Sequence, residues 1–323
     1  MSENQTIINW KDNMSENQTI VTKFILLGLT HNPITVYILF SFFLPIYLMT
    51  ILINFIIITL VITNFNLHSP MYYFLGNLAF LDLSYSTVTT PRLLTDFLSQ
   101  QQQTINFASC ITQIFFFVFL GSTELILLAV MSYDRYVAIC YPLHYGEIMS
   151  RQRCLQFTGL FWVLGLLYSL LHTLCLLRLS FCGPHIIPNF FCDLPHLYQL
   201  SCTDTHINFL VVFISGTVFG LVFFSMTFFP YIHIFRTVFK IKTKSGKHKA
   251  FSTCIPHLAV VCIFYGSIIF IYLVPATSSF LTFNQIVSVI YSVITPLMNP
   301  LFYSLRNKDL IAALWRVLKY QKY

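Results

Sequence analysis

Two carboxyl groups stand where carboxyl groups are costly. Between Phe24 and Pro91 the only formally charged residue is Asp82, and between Ile105 and Met131 the only one is Glu124. An unpaired carboxylate in so apolar a stretch is expensive, so each needs a partner. Asp82 lies 12 residues after Pro70 and Glu124 lies 11 before Arg135, which on two helices places them roughly 18 Å and roughly 16 Å from the same end. At matched depth such a pair shares a proton, coordinates a cation, or packs two helices as a protonated, hydrogen-bonded couple. The residue types leave all three open. No Lys occurs between Ala250 and Leu305, which removes a retinal-type Schiff base in the last apolar stretch and excludes a photoreceptor.

A second cluster, His185, Cys192, Asp193 and His196 in HIIPNFFCDLPH, has the donor types of a metal site. Cys192 ligates only as a free thiolate, so a disulfide there would dissolve the set.

The elements that position these groups follow from composition. The 323 residues are 56% hydrophobic and 9% charged, with a mean hydropathy of +0.73, whereas soluble domains carry about 25% charged residues. This is an integral membrane protein. The turn-rich NFNLHSP (64–70) divides the first apolar run into spans at roughly 34–62 and 71–94, each near the roughly 20 residues a bilayer needs. Further spans fall at 105–131, 154–177 and 205–235, and the polar break PATSSFLTFN splits the uncharged run 250–305 into the sixth and seventh. The expected fold is all-α, a seven-transmembrane helix bundle with a short amphipathic C-terminal helix. Residues 1–33 form an extracellular N-terminal segment, 34–305 the seven-helix bundle, and 306–323 a tail with a membrane-surface helix.

Most of the 18 basic residues follow spans three, five and seven: Arg135, Arg151 and Arg153; Arg236, Lys240, Lys242, Lys244, Lys247 and Lys249; and Arg306, Lys308, Arg316, Lys319 and Lys322. The positive-inside rule then sets the N-terminus outside and the C-terminus in the cytoplasm. No removable signal peptide is expected. MSENQTI recurs at Met1 and Met14, a local duplication with no fold of its own, and it helps place N-x-S/T triplets at Asn4, Asn13 and Asn17 on the outer face. Of the nine cysteines, Cys110, Cys182, Cys192 and Cys202 lie on that oxidising side, where three pairings are open.

Five segments carry a resemblance that covers nearly the whole chain: LHSPMYYFLGNLAFLDLS (67–84), MSYDRYVAICYPLHY (131–145), SCTDTHIN (201–208), KAFSTCIPHLAVVCIFYG (249–266) and PLMNPLFYSLRNKDL (296–310). In this order, and on the sides the charges require, they resemble the signature segments of vertebrate olfactory receptors, a branch of the rhodopsin-like (class A) G-protein-coupled receptors. The resemblance implies an odorant-binding receptor rather than an enzyme, one that converts binding of a small, mostly apolar neutral molecule into G-protein activation and a cyclic AMP signal.

The resemblance also assigns roles. Asp134, Arg135 and Tyr136 match the triplet that holds and then releases Arg135 toward the G protein. Asn299, Pro300 and Tyr303 match the NPxxY segment that rearranges on activation; Pro300 removes a backbone donor and makes a hinge. Tyr265 matches the floor of the ligand pocket. Asp82, Glu124 and Asn299 match a buried cation site, which a structural sodium ion would fit; no other cofactor is expected. Cys110 would pair with Cys192, and Cys182 with Cys202. Pro256, Ile53 and the duplicated N-terminus depart from the family's pattern.

Beside Tyr265, which the resemblance supplies, helical spacing from Cys110 and from Tyr265 proposes a pocket lined by Phe117, Val118, Gly121, Ser122, Ile268, Ile269, Tyr272, Val289 and Ser292. Such a lining is apolar with a few hydroxyls, which suits neutral ligands and disfavours amines. The basic segment RTVFKIKTKSGKHK suits both lipid head groups and a protein partner, here a stimulatory heterotrimeric G protein of the olfactory type. The tail face Leu310, Leu314, Val317 and Leu318 suits the membrane surface. Nothing points to nucleic acid. From Arg306 onward the sequence has no Ser, Thr or Cys, so kinase-driven shut-off is expected to use Thr237, Thr243 or Ser245. A transporter is disfavoured by the lack of an inverted repeat and of paired Gly/Pro-broken spans.

Overall fold

The computed structural model describes residues 22–30, 32–99, 103–182, 185–273, 281–304 and 308–320. The apolar stretches are helical, as they must be where no water is available to satisfy backbone groups. They are α1 Pro33–Thr63, α2 Pro70–Leu98, α3 Phe107–Cys140, α4 Arg151–Leu177, α5 His206–Lys240 and α6 Lys244–Leu273. The seventh, α7, consists of Leu281–Val289, a π-helical turn Ile290–Ile294, and Thr295–Ser304; α8 is Lys308–Tyr320.

Starts are written in the sequence. Asn32 caps α1 by accepting from the Ile34 and Thr35 amides, with Pro33 in the first turn, and Pro70 opens α2 behind Ser69. Among the described residues, five helices could cross a membrane by length and composition alone: Pro33–Thr63, Phe107–Cys140, Arg151–Leu177, His206–Lys240 and Thr282–Tyr303. The apolar part of α6 is the shorter Cys254–Phe270. The 29-residue α2 is made more polar by Asp82, Asp96 and a run of Ser and Thr.

The central element is α3, in which every residue from Leu120 to Ser132 is buried and which touches α2, α4, α5 and α6. Around it, Phe42, Phe55, Leu174, Phe213, Val218 and Phe229 stay exposed on α1, α4 and α5, the belt a bilayer would cover. Pro45, Pro91, Pro230, Pro256 and Pro300 all lie inside helices that continue through them.

One end carries both disulfides. Cys110 is bonded to Cys192 and Cys182 to Cys202, with Cα–Cα distances of 5.5 Å and 5.6 Å. Sequence reasoning assigns residues 1–33 only as an extracellular segment, but Lys23–Leu26 (β1) is a strand. It pairs antiparallel with β2 (Thr104–Asn106), Phe24 opposite Ile105, and parallel with β3 (Ile186–Ile187), Leu26 opposite Ile187. Phe24, Leu26, Ile105, Ile187, Leu197 and the Cys110–Cys192 bridge form a cluster of their own. Gln285 of α7 donates from one amide to the carbonyls of Gly28 and Pro188, at 3.0 Å and 3.4 Å, and so straps the sheet to the bundle. Gly28, at φ +65°, takes a backbone conformation that other residues adopt poorly. At the opposite, basic end, α8 buries Leu310 and Ala313, and the Tyr72 hydroxyl at the start of α2 donates to Asp309 at 3.0 Å.

Candidate functional site

The two carboxyl groups meet on one amide. Asn299 Nδ2 of α7 donates to Asp82 Oδ1 of α2 at 2.8 Å and to Glu124 Oε1 of α3 at 3.1 Å. All three side chains are buried, and neither acid has a Lys or Arg in salt-bridge range among the described residues. Asp82 Oδ2 and Asn299 Oδ1 have no hydrogen-bond partner, and Asn54 Oδ1 of α1 is likewise unmatched although its amide donates to Pro296 O at 3.1 Å. Buried oxygens left unmatched on two of the three residues that join the carboxyl groups suit a hard cation or a proton.

Toward the basic end, Arg135 is buried and pairs with Asp134 at 3.7 Å. Tyr145, in the turn after α3, donates to the other Asp134 oxygen at 2.7 Å. Burial first, and the Asp134 carboxylate next, push the Tyr145 phenol up, which keeps it a donor. Tyr231 of α5 is hydrogen-bonded to His257 of α6, whose ring lies 6.2 Å from that of Tyr303 on α7. Ser132 donates to Thr227 O at 2.6 Å and ties α3 to α5. Tyr136 is partly exposed, its hydroxyl 3.4 Å from that of Tyr141. Pro256 and Pro300 are buried next to His257 and Asn299.

Toward the disulfide end the proposed pocket residues separate. Phe117 and Gly121 are buried, Gly121 beside Tyr291 and Tyr85, and Ile268 and Val289 pack against the cluster that holds Phe117. Val118 packs instead with the loop cluster. The Ser122 hydroxyl goes to Val118 O at 2.7 Å and to Gly165 O of α4 at 3.3 Å, so it points toward α4. Tyr265 meets Thr227 at 3.1 Å between Phe224 and Phe228 and so faces α5. Ser292 bonds Ser288 O, and Ile269 is 48% exposed on the outside of α6. The Tyr272 side chain, like Asn4, Asn13 and Asn17, falls outside the described residues. A groove of about 290 Å³ between α4 and α5 is lined by Tyr168, Ser215, Val218, Phe219, Val222 and Phe223, none of them a proposed pocket residue.

What spacing missed is Tyr291. Its ring lies 5.3 Å from Tyr85, 5.7 Å from Phe117 and 5.5 Å from Phe264, and Phe191 of the loop stacks obliquely on Phe117 at 4.8 Å. The π turn adds one residue to a helical cycle and shifts the phase of α7 by about 100°, so counting at 3.6 selects Val289 and Ser292 around it. The loop is held over this cluster by Gln113, which accepts from the Cys192 amide and donates to Val88 O, both at 3.0 Å. His185, Asp193 and His196 do not form a metal set, because Cys192 is bridged and no three such donors group together among the described residues.

The bundle, its buried acids and the Asp134–Arg135 end define a seven-helix receptor of the rhodopsin type. A crystal structure of squid rhodopsin superposes with a TM-score of 0.66 over 89% of this chain and 81% of its own, at 19% identity, which speaks to the fold. The sequence is more specific. Residues 43–321 match the family model described as olfactory receptor. Rat olfactory receptor 1468 is 45% identical over 94% of this chain and 96% of its own length, and mouse olfactory receptor 1E16 is 45% identical over 93% and 96%. The chain belongs to the olfactory receptor family. That is a family of signalling receptors rather than enzymes, multi-pass proteins of the plasma membrane that take small-molecule ligands and couple to G proteins.

Proposed function

We propose that this receptor binds a small, mostly apolar neutral odorant near the Phe117–Tyr291 cluster and activates a stimulatory G protein of the olfactory type, raising cyclic AMP. The disulfide end faces outside, where Asn4, Asn13 and Asn17 can carry glycans, and the basic end faces the cytoplasm and its anionic lipids. The observation that carries the reading is Asn299, held by both Asp82 and Glu124 on the helix that also presents Tyr291. A ligand that shifts α7 strains those two bonds, and relaxation below them can release Arg135 from Asp134.

In the resting state Asp82, Glu124 and Asn299 would hold a sodium ion or a shared proton. Either would supply the positive charge that two facing carboxyl groups need, and the unmatched oxygens of Asp82 and Asn299 support that reading. The test is a panel of neutral, acidic and basic odorants on cells expressing the full chain with a cyclic AMP reporter, beside Arg135→Ala at equal surface level. A response confined to neutral compounds and lost in Arg135→Ala is expected. A full signal from Arg135→Ala would contradict the assignment.

A further inference from the structure

We propose that the crevice between α4 and α5 is a binding site for a sterol, a rigid polycyclic lipid that stands against Tyr168 and Phe219 from the bilayer side. The site is on the outside of the bundle, so it is independent of which odorant binds within. α4 and α5 each pack chiefly on α3 and little on each other, which leaves a gap between them. Ser215, Val218, Phe219, Val222 and Phe223 recur at three and four residues and share one side of α5, facing Tyr168 of α4 across about 290 Å³. Phe223 is buried at the back, while Val218 and Val222 are 59% and 47% exposed at the mouth. That mouth is continuous with Leu171 and Leu221, exposed apolar residues of the belt a bilayer covers, so the occupant comes from the membrane.

The walls are held in place before anything enters. The Tyr168 ring stacks on Phe219 at 4.3 Å and meets His172 edge-on at 4.5 Å, and Phe219 lies 4.7 Å from Phe223. His172 is buried, with Nε2 3.3 Å from the Ser215 hydroxyl, which ties the two helices together at the end of the crevice nearer the disulfides. With those polar atoms engaged, the crevice offers hydrocarbon and aromatic faces.

This chemistry separates a sterol from an acyl chain. A flexible chain gives up rotamer freedom to lie still between fixed walls, whereas a fused ring system has little to lose and presents flat faces to Tyr168 and Phe219. The depth agrees. Tyr168 lies nine residues before the end of α4 at Leu177 and Ser215 nine after the start of α5 at His206, so both stand about 14 Å from the disulfide end. Phe223, eight residues further along α5, is about 12 Å deeper, so the crevice runs along one leaflet. The Thr227 hydroxyl donates to Phe223 O and meets Tyr265, and Thr227 O accepts from Ser132, so a molecule seated here bears on α5 where it is tied to α3 and α6.

The experiment uses the full chain in cell membranes and a cholesterol carrying a diazirine and an alkyne, beside a phosphatidylcholine carrying the same groups on one acyl chain. After irradiation the labelled peptides are mapped. The sterol probe is expected to label Tyr168 and residues 215–223 in preference to the other lipid-facing helices, and unlabelled cholesterol should compete. The phosphatidylcholine probe should show no such preference. Val218→Trp fills the mouth and should lower sterol labelling there roughly fivefold at wild-type surface level, while Leu52→Trp on the exposed side of α1 should change it less than about twofold. Val222→Trp fills the crevice from its deeper end and is read in the same way, so a surface defect in one variant leaves the other. Equal labelling by the two probes would give the crevice to acyl chains, and a photo-cross-linked dimer through these peptides would give it to a second copy. Sterol labelling unchanged in the Trp variants at 218 and 222 would put the sterol elsewhere. Each of these three results overturns the proposal.

Discussion

At the disulfide end two covalent bridges, a three-stranded sheet and a separate apolar cluster fix the loops to α3, and Gln113 and Gln285 strap that cap to α2 and α7. At the basic end Arg135 is held by one ion pair at 3.7 Å and by what Tyr145 does to Asp134. The first arrangement can present a shaped site without rebuilding it for each ligand. The second can rearrange by exchanging one or two polar contacts, a change of about 1 to 3 kcal/mol, which is the scale of coupling between sites. A receptor needs both behaviours, and here they sit at opposite ends of one helix, α3.

The largest way to break that contrast is at the cap. Cys110→Ser should cost about 2 to 5 kcal/mol of stability and remove most surface receptor, read by surface staining and thermal unfolding. Next is Arg135→Ala, which should leave surface level near wild type and lower agonist-driven signalling by at least tenfold. A smaller change is expected from Tyr145→Phe. It removes one hydrogen bond to Asp134, loosens the resting pair and should raise ligand-independent signalling about two- to fivefold.

The smallest effect is a pH dependence of the cap. His196 is buried on the short helix Leu194–Gln199 with neither ring nitrogen hydrogen-bonded, and burial lowers its pKa from 6.5 against the opposing pull of Asp193. A lowered folded value means the unfolded chain takes the proton first, so this contribution is lost as pH falls below about 6.5. Burial raises Asp193, which acts in the opposite sense and loses its contribution as pH rises through its folded value. His196→Gln should therefore flatten the fall in unfolding temperature between about pH 6.5 and pH 5.5. An unchanged slope would show that another group governs it.

The sequence disclosed the helices and the buried acids for the same reason: in so apolar a chain each charge is conspicuous, and Asp82 and Glu124 mark depth as well as chemistry. Arg135 and Asn299 were legible through the segments that carry them. The strand at Lys23–Leu26 was not, because four residues pairing with partners about 80 and 160 positions away leave no local period. Tyr291 was hidden by the π turn, which breaks the 3.6 count within the helix being counted. Ser122 follows from helical spacing and Tyr265 from the resemblance, but each hydroxyl bonds a partner on a neighbouring helix.

The most direct test of the account is the latch between the two ends. Asp82→Asn with Glu124→Gln keeps shape and hydrogen-bonding atoms and removes both charges, and the measurement is a full agonist dose–response with and without external sodium beside the unstimulated signal. The account predicts altered basal activity or a lost sodium response, with the rank order of ligands kept, because the pair lies below the Phe117–Tyr291 cluster. A double variant at the surface with unchanged basal signal, potency and sodium response would mean that the acids only pack helices.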